Sequence, residues 1–504
     1  MLGIDGLDAD LLRVYGPSLP HLRRLMLESP FLELTSSFPP EPALAWTSVY
    51  TGLNPARHGL AGQPKASTLQ AIGPRLSGQT FWDRAGLAGR RVCVLNPGFA
   101  CSPWSVSSVM RSLPFESLQS DCDGLPTAAS PSALFSPSSD ASAIPSEGDL
   151  ATFCQSRYAR CEQQAALGLE FFRSEPWDLF FLRLDTLPAA QRLLWRYCDP
   201  DDPAYPGYND FADTIPAFYR LFDRIISDFR SYLEADCVLL VLSAYGQGRS
   251  CISSLHLNEW LRLQGLLTPR AAPPYRLAYL SARRFLLNHA QGGLHALLSG
   301  LHMQKMLSRR ACQRPHQQIN EAVDCQESLA WLAEFTANSP FAGIVINRAR
   351  AERQGYTYER LRGELVRKLM QLRVQGQTVV CRAHAREEYY QGECSEQFPD
   401  IIFELHSAFH ADGGLYLPLV TPNMAHHIVS GNNHRSGVLL LGNLPAGSET
   451  LERRDGPHVV DVAPTVLHLL GVTAADGDGE PLVLPPVVYS RLVPPLLSLP
   501  MLPR

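Results

Sequence analysis

Two apolar runs without polar alternation set the strongest limit on what this chain can become. Trp177-Asp178-Leu179-Phe180-Phe181-Leu182 and Cys237-Val238-Leu239-Leu240-Val241-Leu242 are each the length of one strand, and neither keeps a solvent face. Strands of this kind belong to sheets covered on both sides. Each follows a segment of helical periodicity, over 151–172 and 215–234. The alternation recurs along the chain. A short apolar start ends at Asp5, and an amphipathic stretch covers 19–27. The Pro-rich turn Phe38-Pro39-Pro40-Glu41-Pro42 opens a short helix over 44–50, closed by Gly52. A helix over 81–87 precedes a strand over 91–96, and the chain returns to a strand over 437–442 and a helix over 460–471. This order predicts an α/β fold, with a mostly parallel central sheet and helices on both faces.

Between these elements, residues 115–148, rich in Ser, Pro, Ala and Asp, read as a surface excursion. Residues 270–335 carry helical, His- and Arg-bearing sequence suited to a lid. A helix over 358–372 and strands over 379–382 and 401–405 make a small subdomain. The expectation is one domain over 1–504, with a cap or inserted subdomain at 270–410 and a Pro- and Leu-rich tail packed along the surface after Leu482.

Charge removes some partners. Lys plus Arg number 44 against 49 Asp plus Glu, a net charge of -5 over 504 residues. That balance gives no footprint for nucleic acid or an anionic membrane, although a local site can still oppose it and hold a small phosphorylated or anionic ligand. The 12 cysteines are scattered singly, with no C-x-x-C pair, which suits small buried hydrophobes in a reducing compartment. No stretch reaches the ~20 apolar residues needed to span a bilayer. The expected location is therefore the cytoplasm. The oligomeric state is not legible.

In doubly wound sheets, reactive groups gather where strands end and helices begin. Three segments have that placement: Gly3-Ile4-Asp5-Gly6, an acid at a strand end; Ala45-Trp46-Thr47-Ser48, a hydroxyl expected in the first turn of a helix, where an anion is favoured; and Leu242-Ser243-Ala244-Tyr245-Gly246-Gln247-Gly248, a strand entering a glycine turn. In isolation, Thr47 reads equally well as a plain helix-start residue.

Their order resembles the opening of the type I phosphodiesterase/nucleotide pyrophosphatase family of the alkaline phosphatase superfamily. The features that carry it are Asp5, Pro39-Pro40, Ala45-Trp46-Thr47-Ser48, Thr51-Gly52-Leu53-Asn54-Pro55 and His58-Gly59. Later segments fit in order: Leu255-His256-Leu257-Asn258-Glu259-Trp260-Leu261, Pro399-Asp400-Ile401-Ile402 and Asp461-Val462-Ala463-Pro464-Thr465-Val466-Leu467. The resemblance implies an alkaline-phosphatase-like fold and two metals, usually zinc, about 4 Å apart, with a threonine attacking phosphorus between them. It assigns Asp5 as a metal ligand, Thr47 as nucleophile and His434, in Ser430-Gly431-Asn432-Asn433-His434-Arg435, as the late histidine ligand.

Four other ligand positions depart from the family pattern. Where the family has Thr-Asp-x-x-Gln-His-x-x-Trp, Pro188 stands for the Asp and Arg192 for the His. Where it has Ser-Asp-His-Gly, Ala244 and Tyr245 replace the acid and the imidazole. The framing residues Gln191, Trp195, Ser243 and Gly246 remain. Asp185 lies three residues too early to substitute. Each lost carboxylate costs several kcal/mol of metal affinity, because opposed unit charges ~4 Å apart attract by about 4 kcal/mol at an effective dielectric near 20. No cofactor is expected to bind tightly, and at most one divalent metal at Asp5, Thr47 and His434.

The leading expectation is a phosphodiesterase-like protein that has lost two-metal phosphoester hydrolysis and keeps an anion-binding, scaffold or other non-hydrolytic role. The alternative is an active phosphodiesterase, phosphatase or transferase using Thr47 with one metal or none. Arg192 either holds an anion through its guanidinium fork or pairs with Asp5 or Asp185 and fills the gap. His426-His427 are expected to be exposed, Arg309-Arg310-Ala311-Cys312-Gln313-Arg314 to form a solvated helix end, and His58 and His256 to serve as structural hydrogen-bonding groups.

Overall fold

Side-chain alternation along the central strands divides the core into two layers. In the computed structural model, Phe180, Leu182 and Leu184 face one hydrophobic cluster, while Leu179 and Phe181 face another. Val241 and Leu242 split the same way, as do Leu440 and Leu441. A strand buried on both faces has no polar side to show, which is why these runs read as unbroken. The structure describes residues 1–62, 75–98, 110–113, 144–271, 320–334, 338–450, 456–473 and 477–484.

The main sheet has seven strands: β1 (Leu2–Ile4), β2 (Phe31–Thr35), β3 (Val92–Leu95), β4 (Met110–Leu113), β5 (Leu179–Leu184), β6 (Leu239–Ser243) and, after a separate antiparallel pair of β7 (Gly246–Arg249) with β8 (Gly431–His434), β9 (Ser436–Gly442). Their order is β2-β9-β6-β1-β5-β3-β4. Every pairing from β6 to β4 is parallel, and β9 runs antiparallel between β6 and β2.

Helices α1 (Ala9–Tyr15), α2 (Pro20–Glu28), α5 (Leu150–Ser174), α6 (Leu187–Cys198) and α7 (Thr214–Arg230) cover one face. Helices α3 (Pro42–Thr51), α4 (Phe81–Leu87) and α8 (Val462–Leu469) cover the other. The expected mostly parallel sheet with helices on both faces is thus the observed one.

A second, four-stranded sheet joins Ala330–Leu332, Phe341–Ile346, Ile401–Leu405 and Val380–Ala385, with the helix Tyr358–Met370 on it. Leu361, Leu365 and Leu369, spaced by four, bury one helix face against Ile344, Val380 and Phe403 in a core of their own. Most of the surface excursion, most of the lid, the Arg309–Arg314 cluster and most of the tail lie outside the described residues. Among the described residues, no helix is long and apolar enough to cross a membrane.

Candidate functional site

Four neighbouring strands deliver one group each to the C-terminal rim of the main sheet. Asp5 follows β1 and is buried, its amide donating to the Leu184 carbonyl at 3.0 Å. Arg183, on adjacent β5, sits opposite Gly3 in register. Its Nε donates to Asp5 Oδ1 at 2.8 Å and its Nη2 to Oδ2 at 2.6 Å, a bidentate fork. Tyr245, just past β6, donates its hydroxyl to Asp5 Oδ2 at 3.1 Å. Beyond β3, the Pro97 carbonyl accepts from Arg183 Nη1 at 3.1 Å, and the guanidinium lies over the Trp46 ring, 5.0 Å from its centroid. Gly98 takes a positive φ of 78°, and a Cβ there would fall 1.6 Å from Arg183 Nη1. That position is reserved for the guanidinium.

Electrostatics fix these charge states. Burial works against the charge on Arg183, but Asp5 beside it wins and raises the guanidinium pKa well above its ordinary value. Burial, and then the negative charge of Asp5, push the Tyr245 hydroxyl well above the usual tyrosine range, so it stays a proton donor.

Thr47 stands elsewhere than expected. The helix begins at Pro42, with Glu41 as N-cap, so Thr47 lies well inside α3 and not in its first turn. Proline is favoured at the first helical position because its missing N–H has no partner there to lose. Thr47 is fully buried, and its hydroxyl donates to the Ala43 carbonyl one turn back at 2.6 Å. The true first turn carries Pro42, Ala43 and Leu44, with no hydroxyl or thiol.

His434 is held by two partners. Its Nδ1 accepts from the Ser436 amide at 3.1 Å, which makes Nε2 the protonated nitrogen, donating to Asp8 Oδ2 at 2.7 Å. Asp8 is buried and also caps α1, accepting from the amides of Asp10 and Leu11 at 3.0 Å each. Neither imidazole nitrogen keeps a lone pair for a metal.

The altered family positions lie on α6 and the turn after β6. Pro188 sits in the first turn of α6 near Gly6, and Ala244 is buried in the apolar layer. Gln191 donates to the Gly6 carbonyl at 3.0 Å, tying α6 to the loop after Asp5. Arg192 is exposed. The expected pairing of Arg192 with Asp5 or Asp185 is not what forms, since Asp5 is held by Arg183 and Asp185 accepts from Gln164 Nε2 at 3.0 Å. The reason is helical phase: Leu187, Ala190, Gln191 and Leu194 make the buried face of α6, and residue 192 falls outside it.

Other histidines serve structure. His256 binds Asp412 through Nδ1 and Thr421 through Nε2, both at 3.0 Å. His426 corrects an expectation: it is buried, not exposed, with Nε2 2.9 Å from Asp202. His58 is buried, its Nε2 3.2 Å from Ser48 Oγ. Burial lowers its pKa from 6.5 to about 3. The unfolded chain therefore binds a proton that the folded one refuses. Stability should fall as pH drops below about 6.5 and go on falling toward pH 3, by up to about 1.4 kcal/mol per pH unit from this group. Urea midpoints from pH 7 to 4.5 should show a shallower decline in His58→Gln than in the parent chain.

Arg183 and Asp8 escaped sequence reasoning. One signal was available for Arg183. A charge inside a strand buried on both faces needs a buried partner, and Asp5 ends a strand of the same kind. Asp8 gave no comparable sign.

A family model described as type I phosphodiesterase/nucleotide pyrophosphatase matches residues 1–346. The chain belongs to that family. Among solved structures, phosphonoacetate hydrolase from Sinorhizobium meliloti 1021, bound to phosphonoformate, superposes with a TM-score of 0.51 at 13% identity, covering 94% of this chain and 95% of that one. This places the fold in the alkaline-phosphatase-like group. Murine ectonucleotide pyrophosphatase/phosphodiesterase 5 aligns at 13% identity and a TM-score of 0.45, over 95% of this chain and 96% of the other. No curated protein sequence matches the chain significantly.

The zinc pair used by this family does not fit the residues present. Asp5 has both oxygens engaged by Arg183 and Tyr245, and His434 has both nitrogens engaged. Among the described residues, no group of three or more His, Cys, Asp or Glu could hold a metal ion.

Proposed function

We propose that this phosphodiesterase-family chain does not carry out two-metal phosphoester hydrolysis and acts by binding, either a small anionic ligand or another component it scaffolds. The observation that carries the reading is the place of the nucleophile. Attack on phosphorus needs an activated hydroxyl that can come within about 3–3.5 Å of the reacting atom. Thr47 is fully buried and bonded back to Ala43, and the helix turn ahead of it offers no hydroxyl in its place. Arg192, exposed on α6, presents a guanidinium that an anion can reach from solvent.

The test is hydrolysis of bis-p-nitrophenyl phosphate with added zinc, with chelator and with neither. No turnover above buffer is expected under any of the three, and Thr47→Ala should change nothing. Metal analysis of the purified chain should find well under one zinc per molecule. Chelator-sensitive turnover abolished by Thr47→Ala would sink the proposal and favour one metal held by Asp5, Thr47 and His434.

A further inference from the structure

The strand order gives Arg183 a meaning beyond one ion pair. β6, β1, β5 and β3 are consecutive in the main sheet. Just past or near their C-terminal ends stand Tyr245, Asp5, Arg183 and the Pro97 carbonyl, in the same order. The guanidinium bonds to the groups following β1 and β3, while Tyr245 reaches Asp5 from the β6 side. One cation thus organises the ends of four neighbouring strands, at the acid that the family uses to hold metal.

We infer that Arg183 is a built-in replacement for the metal ion at Asp5, supplying its counter-charge so that this rim holds together without metal and excludes it. The inference rests on the reading of the site as non-hydrolytic and adds what fills the space. Three observations support it. Charge balances within the cluster, because one guanidinium meets one carboxylate and the Tyr245 hydroxyl stays neutral. The fork, unlike a spherical ion, matches a carboxylate bidentately and never loses its proton. The surroundings are shaped to it: the Trp46 face lies beside it, and the missing Cβ of Gly98 leaves room for Nη1. A divalent ion approaching Asp5 would have to displace a buried cation that is already hydrogen-bonded. Tyr245 completes the exchange, since it stands where the family pattern has a histidine ligand and gives its hydroxyl to Asp5 instead.

Thermal unfolding of the full chain, with zinc and with chelator, tests the inference alongside Arg183→Met, Asp5→Asn and the double variant. The parent midpoint should move by less than about 1 °C with either additive. Arg183→Met should lower it by on the order of 5 °C or more, because the Asp5 carboxylate is left buried without its cation. The double variant should regain most of that loss. Should Arg183→Met fail to fold, a folded double variant supports the pairing, and a double variant that fails while Asp5→Asn alone folds overturns it. Stoichiometric zinc in the parent with a midpoint that falls on chelation also overturns it, as does a double variant no more stable than the sum of its singles. These outcomes separate from the hydrolysis assay. Turnover by the parent removes the non-hydrolytic reading whatever the midpoint does, whereas a chelator-sensitive midpoint removes the metal-replacement inference even with no turnover.

Discussion

Asp5→Ala should destabilise the fold by about 3–5 kcal/mol, read as a shift of the urea or guanidinium midpoint at constant slope. The size follows from what stays behind. Arg183 keeps only 9% of its side chain exposed, so its charge has no route to water. A buried lysine could shed its proton, but a guanidinium cannot. Removing the carboxylate therefore strands a permanent cation beneath Trp46 and leaves the Tyr245 hydroxyl without its acceptor. Asp5→Asn should cost less, because an amide oxygen still accepts from one arm of the fork. The solvent-exposed pair Arg24–Glu28 supplies the control: Glu28→Ala should stay within about 0.5 kcal/mol. A cost for Asp5→Ala below about 1 kcal/mol would mean that Arg183 finds another partner and that the four-strand cluster does not depend on this acid.

The legible part of this chain was the part governed by local periodicity. The unbroken runs leading into β5 and β6, and the amphipathic helices ahead of them, announced a sheet covered on both faces, because two-sided burial leaves its mark on every consecutive residue. β2 gave no such mark: it is a short edge strand in which only Leu34 is buried, while Glu33 is exposed and the rest are half-buried. The start of α3 was misplaced because its apolar character begins at Leu44, whereas the backbone turns helical at Pro42, and that shift moves Thr47 out of the first turn. The losses at Pro188, Arg192, Ala244 and Tyr245 could be read by position. What filled the gap could not. Arg183 meets Asp5 from 178 positions away, and His434 meets Asp8 across most of the chain length, and no local pattern encodes such pairings. Tyr245 illustrates the difference. Its identity showed that an imidazole was gone, and only the fold showed its hydroxyl turned onto Asp5.

Gly246→Ala should destabilise by about 3 kcal/mol, at the upper end of ordinary overpacking costs, for a reason centred on His434. Gly246 opens β7 and sits opposite His434 of β8 in register. A Cβ on it would fall 2.2 Å from His434 Cε1, 2.4 Å from the Ser436 carbonyl oxygen and 2.7 Å from Asp8 Oδ2. None of these three can step aside freely. Ser436 O is main chain at the start of β9, two residues past the end of β8. The imidazole is fixed at both nitrogens, by Asp8 and by the Ser436 amide. Asp8 is fixed in turn by the α1 amides it caps, so moving it gives up a cap as well as the hydrogen bond from His434. Gly248→Ala is the matched control in the same strand, since its Cβ would approach only the His434 ring, at 3.2 Å, and should cost under about 1 kcal/mol. Adding His434→Ala to Gly246→Ala should restore part of the loss but not all of it, because the Ser436 carbonyl stays in place. If the two alanine variants unfold at the same denaturant concentration, the close approach of Asp8, His434 and the Ser436 carbonyl around residue 246 is not what holds this strand pair to α1.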